Sequence, residues 1–177
     1  MTWSASSLWA VIERAAHARG AVPATFLWNL GQGSVVPGPA ELLLLPLGLA
    51  DPAKAWPLAL AATTGSVLGG CIAYGLGAVA FASVGQPLLS MLGVSDAMLT
   101  RGMALMVEYG WLFIVGSTLT PISAKAVSIG AGAVGMPFPI FVSALTVGRV
   151  LRFSIDAVLI RASAGLLHRL RQRVFAR

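Results

Sequence analysis

The sequence predicts an all-α integral membrane protein. It reads as two inverted repeats, each a re-entrant helical hairpin followed by a transmembrane helix, with interfacial helices besides. Three observations carry this. The 177 residues are 57% hydrophobic and only 10% charged, where a soluble domain carries roughly 25% charged residues. Two apolar segments are broken by Pro and Gly in matching ways: Pro37, Glu41 and Gly48 recur as Pro121, Lys125 and Gly132 at a constant offset of 84. Two long apolar segments follow them, and Gly65-Ser66-Val67-Leu68 in the first echoes Gly148-Arg149-Val150-Leu151 in the second at an offset of 83. Paired, interrupted apolar segments in the two halves of a membrane protein point to a transport site near the bilayer midplane.

Each element follows in order. Residues 1–33 form an N-terminal interfacial segment. Residues 4–19 pattern as an amphipathic helix with Leu8, Val11, Ile12 and Ala15 on its apolar face. Its length and its charges, Glu13, Arg14 and His17, suit the interface and leave no apolar core for a cleavable signal. The pattern leaves 22–33 without a defined state, though Trp28 fits a headgroup-level anchor. A membrane domain over 34–160 comes next, its first repeat at 34–80 and its second at 116–160. A nine-residue arm from Glu41 to Leu49 reaches only ~13 Å against a ~30 Å hydrocarbon core, so it folds back rather than crossing. Residues 57–80 are uncharged and long enough to span. Ala61, Gly65, Gly69, Ala73 and Gly77 recur every four residues there, a stripe that admits another helix at close range.

Residues 81–94, with Gly85, Pro87 and Gly93, read as interfacial. Ser95 is placed to cap a helix running to Tyr109, with Asp96 in its first turn. After the second broken segment, residues 139–160 form a second span, which carries Arg149, Arg152 and Asp156. A basic tail, 161–177, completes the chain. Its arginines place it in the cytoplasm, and the inverted arrangement then puts Arg14, Arg19 and Lys54 on the same side. This is the pattern of a multi-pass protein of a cell inner membrane.

The net charge of +6 is concentrated in that tail. It is a topology signal and a draw for anionic lipid, and no aromatic interleaving of the kind a nucleic-acid groove needs accompanies it. The single Cys71 rules out an intramolecular disulfide and a Cys metal cluster. His17 and His168 stand at opposite ends of the chain. The residues supply no nucleophile–His–acid set, no metal-ligand spacing and no phosphate loop, so the sequence predicts neither an enzyme, nor a metal, nor a cofactor.

The candidate binding residues are Glu41, Lys125, Arg149 and Arg152, with Asp156, Thr118, Thr120, Pro37 and Pro121 in support. Charges within a membrane are costly and mark function or mutual pairing. On a helix Arg149, Arg152 and Asp156 fall within a ~60° arc. Asp156 is placed to pair with Arg152 at i,i+4, which leaves Arg149 without a local partner. Arg149 then either receives an anion, for which its planar fork suits phosphate, or pairs with Glu41 to hold the repeats together. Glu41 and Lys125 likewise either neutralise each other at the hairpin tips or act on a headgroup or a proton. Thr118, Thr120 and Ser123 add hydroxyls beside Lys125.

Tyr109-Gly110, Thr120-Pro121-Ile122-x-x-Lys125, Gly130-x-Gly132, Phe141 and Gly148-Arg149-x-x-Arg152-Phe153, in that order, resemble the DedA superfamily of VTT-domain, or SNARE-associated Golgi, proteins. The nearest likeness is to its small YqaA-like branch. Pro37-Gly38-x-x-Glu41 and Gly65-x-x-x-Gly69 with Tyr74 and Gly77 agree with the first half of the pattern. The resemblance spans roughly 34–160. It implies inverted re-entrant hairpins that meet in the membrane and movement of lipids between leaflets, whether polyprenyl-phosphate carriers or phospholipids. By the same resemblance Glu41 matches the hairpin acid, and Lys125, Arg149 and Arg152 the basic positions of the second half. Gly70 stands where many members carry Asp, and Thr118 and Lys125 stand near positions where many carry arginines.

The function expected is therefore movement of an anionic lipid or lipid-linked phosphate between leaflets. The partners are membrane lipids with anionic phosphate headgroups, not nucleic acid, and the reading leaves room for a homo-oligomer. The alternatives are an ion-coupled small-solute transporter and a non-transporting scaffold or insertase-like helper.

Overall fold

In a computed structural model, residues 5–120 and 124–175 are described, and side chains in residues 5–9 and 165–175 and at positions 82, 85, 86, 88 and 119 are not. The described residues are helical, with no strand among them. The helices are α1 (Ala5–His17), α2 (Ala21–Ser34), α3 (Glu41–Ala50), α4 (Ala55–Ala80), α5 (Gln86–Met91), α6 (Asp96–Tyr109), α7 (Trp111–Leu119), α8 (Ala124–Ala133) and α9 (Phe138–Phe175). A short 3-10 turn, Pro52–Lys54, leads into α4, and a π-helical turn, Phe81–Gly85, follows it.

Two helical stretches are long and apolar enough to cross a membrane: Pro52–Ala80, with 29 residues, and Phe138–Ala164, with 27. At 1.5 Å per residue they run to about 40 Å, more than a hydrocarbon core requires. Both present large apolar side chains outward. Leu60, Leu68, Ile72 and Val79 are exposed on α4, and Val150, Leu151, Ile155, Val158 and Leu159 on α9. A water-soluble monomer seldom exposes so continuous an apolar belt.

The small-residue stripe of α4 does what its spacing predicts. Gly65 lies against the Phe26 carbonyl, and Gly69 against the Leu30 carbonyl and Gly33, so α2 docks backbone to backbone on α4. Further along, Gly77 meets the Ile129 carbonyl and Gly132 of α8 meets Tyr74 and Ala78. One stripe thus serves two partners, α2 and α8. Residues 22–33, unassigned from the sequence, are most of α2. Thr25 and Asn29 are buried there, each donating from its side chain to the carbonyl four residues earlier.

Several connections are tied by polar groups. Trp28 Nε1 donates to the Pro39 carbonyl at 3.0 Å, so this indole secures the turn into α3. Gly38 in that turn has φ +147°, which suits glycine, and a Cβ there would strike the Trp28 ring. Ser95 caps α6 as its position predicts, its Oγ accepting from Met98 N. Gly110, at φ +48°, makes the bend that separates α6 from α7. Tyr74 donates to the Met136 carbonyl and stacks on Phe141 with centroids 4.8 Å apart, pinning the entry of α9 to α4.

Among the described side chains of α1, Ala16 is buried and Val11 and Ala15 are exposed. The inner face is rotated toward the carbonyl of Ala16, which accepts from Lys54 Nζ at 2.6 Å. The second candidate span ends at Ala164, close to the expected 160, and α9 continues past it to Phe175. The tail's Arg, Leu and Gln residues are good helix formers, and no proline interrupts them.

Candidate binding site

α3 and α8 are both ten residues long, about 15 Å, and each begins beside a charged residue. Glu41 opens α3 and Lys125 lies in the first turn of α8. The middle of α9 faces them with Arg149 and Arg152. Together these elements enclose a cavity of about 290 Å³, whose lining includes Gln32, Pro37, Glu41, Thr118, Thr120, Lys125, Arg149 and Arg152. All four principal candidate residues therefore meet at one place, although they are drawn from segments more than 100 residues apart.

Their pairing differs from the expectation. Arg152 Nη2 donates to Glu41 Oε1 at 2.6 Å, an ion pair between α9 and α3. Asp156, one turn along, is not the ion-pair partner of Arg152. Its Oδ2 is buried without a hydrogen-bond partner among the described residues. The guanidinium reaches across to α3 because the Glu41 carboxylate opens that helix directly opposite it. Glu41 is likewise not paired with Lys125 or with Arg149. Lys125, 4% exposed, donates from Nζ to the Val36 carbonyl at 2.6 Å. That bond ties α8 to the connection before α3 and satisfies a carbonyl that no helix reaches.

Arg149 is 5% exposed and forms no ion pair among the described residues. Its Nε has no hydrogen-bond partner, and its guanidinium carbon lies 5.9 Å from the Phe153 ring centroid. The cavity therefore holds three bases and one acid. Once Arg152 and Glu41 pair, Lys125 and Arg149 have no carboxylate in ion-pair contact among the described residues. Lys125 uses one of its three N–H bonds on Val36 and keeps two. A buried guanidinium without an anionic partner is expensive, and the arrangement is relieved when an anion enters.

The supporting residues divide. Pro37, Thr118 and Thr120 line the cavity. The threonine hydroxyls are not free donors: Thr118 donates to the Val115 carbonyl at 2.7 Å and Thr120 to the Ser117 carbonyl at 2.9 Å. Thr118 also fills the space left by Gly148 of α9. Pro121 and Ser123 lie outside the described residues. Gln32 was not singled out from the sequence, yet it lines the cavity with a buried, unpartnered Oε1. Its signal is the run Thr25, Asn29, Gln32, a polar line on one face of an otherwise apolar helix.

Beyond the ion pair lies a shallower depression of about 470 Å³, lined by Pro39, Glu41, Leu42, Leu45, Arg152 and Asp156 among others. Glu41 and Arg152 border both spaces, so their ion pair forms the partition between them. Leu42 and Leu45 on the outer side are exposed.

A family model for the VTT domain matches residues 36–162, which take in the turn into α3, the whole cationic cavity apart from Gln32, and the first two-thirds of α9. Comparison with curated proteins and with solved structures finds no match. The match covers most of the chain, with the whole of the first candidate span and all but the last two residues of the second: the chain belongs to the VTT-domain, or DedA, superfamily of membrane proteins.

Proposed function

We propose that this protein moves an anionic lipid, or a lipid-linked phosphate, between the leaflets of a bacterial inner membrane. The observation that carries the proposal is the pair of buried bases, Lys125 and Arg149, in a cavity bordered by the membrane-length helix α9 and the short helices α3 and α8. Arg149 lies eleven residues into a 27-residue span, about 16 Å from its start and so near the bilayer centre. A charge at that depth is costly unless it serves an anion or a pathway. The planar guanidinium accepts two phosphate oxygens side by side, and the ammonium adds a compact second charge.

In this reading α3 and α8 are re-entrant arms of two inverted repeats. Two matched pairs of contacts support the symmetry. Gly48 of α3 rests on Ile160 of α9, while Gly132, 84 residues on, rests on Tyr74 and Ala78 of α4. Each short helix thus leans on the long helix of the other half. Gly65 of α4 receives α2, and Gly148, 83 residues on, receives Thr118 of α7. A helix of about 15 Å cannot cross ~30 Å of hydrocarbon, so both arms return to the side they entered.

The headgroup enters the cationic cavity past the Glu41–Arg152 partition, and its opening toward the exposed Leu42 and Leu45 admits a lipid from the side. That lateral approach favours lipid over a small solute, which would need a closed axial path. It also favours lipid over a partner helix, for which a groove walled by a charged partition is a poor seat. The basic tail lies in the cytoplasm in this arrangement.

The test is the purified protein in vesicles carrying a fluorescent anionic phospholipid in one leaflet, with a zwitterionic lipid and a polyprenyl phosphate measured in parallel. The reading predicts faster exchange of at least one phosphate monoester or anionic lipid than in protein-free vesicles. Exchange equal to protein-free vesicles for all three refutes it.

A further inference from the structure

Beside the cationic cavity lies a second one of about 340 Å³ with a different chemistry. It is bounded by α6 and α8 and lined by Leu92, Met103, Met106, Phe113 and Val127 among others, with no charged or hydroxyl side chain in its lining. Two glycines give it room. A Cβ on Gly102 of α6 would meet nothing within 4 Å, and one on Gly130 of α8 would meet only the Met106 side chain.

The two cavities adjoin. Leu92 lines both. The first turns of α8 face both as well: Ala124 and Lys125 border the cationic cavity, and Ala126, Val127 and Gly130 border the apolar one. From Lys125 to Gly130 the helix rises only about 7.5 Å. Around the helix Ala126, Val127 and Gly130 lie about 100–200° from Lys125, so the two cavities flank α8 and meet at Leu92.

We propose that this cavity receives one hydrocarbon chain of the same lipid whose phosphate occupies the cationic cavity. The inference rests on the function proposed above and extends it, because the lipid then crosses with one chain inside the protein rather than with all of it in the bilayer. The space is an open apolar groove, with Met98 at its rim exposed, and such a groove is a seat for hydrocarbon. The hydrophobic effect does not select the chain, since bilayer tails are as apolar as the lining. Selection comes from the tether: a chain joined to a bound headgroup is present at high effective concentration. The Met98, Met103 and Met106 thioethers on one face of α6 adapt to chains of different shape, acyl or isoprenoid.

The experiment uses the full chain in vesicles containing a phospholipid with a diazirine midway along one acyl chain. Cross-linked residues are mapped by mass spectrometry. The wild-type protein should be labelled at Met98, Met103 and Met106 above the level at the outward residues Leu60 and Leu159. Gly102→Phe, whose Cβ has free space beside the cavity, should lose that labelling, while Gly75→Phe, whose Cβ is equally unobstructed and away from the cavity, should keep it. Labelling of α6 no greater than that of Leu60 and Leu159 in the wild type overturns the proposal, and this holds whether or not the variants fold. Unchanged labelling in folded Gly102→Phe overturns it equally. Arg149→Gln separates this inference from the reading beneath it. Loss of α6 labelling there supports the tether, whereas full labelling leaves a chain in the cavity but refutes its tether to a phosphate held at Arg149.

Discussion

α3 and α8 have the same length and matching sequence positions, yet they are held very differently. α8 is buried along most of its length: Lys125, Val127 and Ser128 through Gly132 are all inaccessible. Its glycines bring it against the α4 backbone. α3 buries only Leu44, Leu47 and Gly48 and turns Leu42, Leu45 and Leu49 outward. The charged groups follow the same division. The Lys125 ammonium is fixed to a backbone carbonyl inside, while the Glu41 carboxylate sits at the partition and holds Arg152 by an ion pair. α8 is the rigid wall of the site and α3 its exposed edge, joined to α9 by side chains that can part.

The sharpest way to break this comparison is at the equivalent glycines. Gly132→Ala places a methyl on the Tyr74 carbonyl, where the backbone cannot yield. It should cost about 3 kcal/mol or more, read as a large drop in the thermal midpoint in detergent. The ion pair comes next. Glu41→Gln and Arg152→Gln should each destabilise by roughly 1–3 kcal/mol, between the values for surface and buried pairs, because Arg152 is part-exposed. The double change should recover part of the loss, whereas Glu41→Gln with Lys125→Met should be additive to within about 0.5 kcal/mol. Coupling of Glu41 to Lys125 as strong as to Arg152 would contradict the pairing described here.

Lys125→Met should cost about 1–2 kcal/mol by leaving the Val36 carbonyl without its donor. Faster amide exchange in residues 35–40 would report it. The smallest effect belongs to Gly48→Ala. Its methyl meets the Ile160 side chain, most closely at the flexible Cδ1 end and no backbone atom, and alanine favours the helix by about 1 kcal/mol. The midpoint should hardly change. A loss as large as that of Gly132→Ala would mean that α3 is as rigidly seated as α8.

Much of this was legible in the sequence, because a few residue types leave little freedom. The four-residue recurrence from Ala61 to Gly77 has no use other than close helix packing. Ser95 ahead of Asp96 is a helix start, and the uncharged run after Pro57 has only one solvent. The convergence of Glu41, Lys125, Arg149 and Arg152 could be anticipated because each charge had to leave the hydrocarbon. What could not be read was who pairs with whom. Asp156 is four residues from Arg152 and Glu41 is 111 residues away, so spacing favoured the wrong acid. Only the placement of α3 against α9 decides it. The threonine hydroxyls were obscured for a related reason: whether they turn to the backbone or to the cavity depends on side-chain rotation, not on position. Gln32 carried a signal in its polar line with Thr25 and Asn29, but that line becomes meaningful only once α2 is known to be a buried helix.

The central claim is that a lipid phosphate meets Arg149 in the cationic cavity. It is tested most directly by leaflet exchange of the anionic lipid with wild-type and Arg149→Gln protein at matched amounts in the same vesicles, each first shown to be folded by its thermal midpoint. Arg149 makes no ion pair among the described residues, so the glutamine variant should keep its stability while its lipid exchange falls to the level of protein-free vesicles. Full exchange in a folded Arg149→Gln protein would contradict the account.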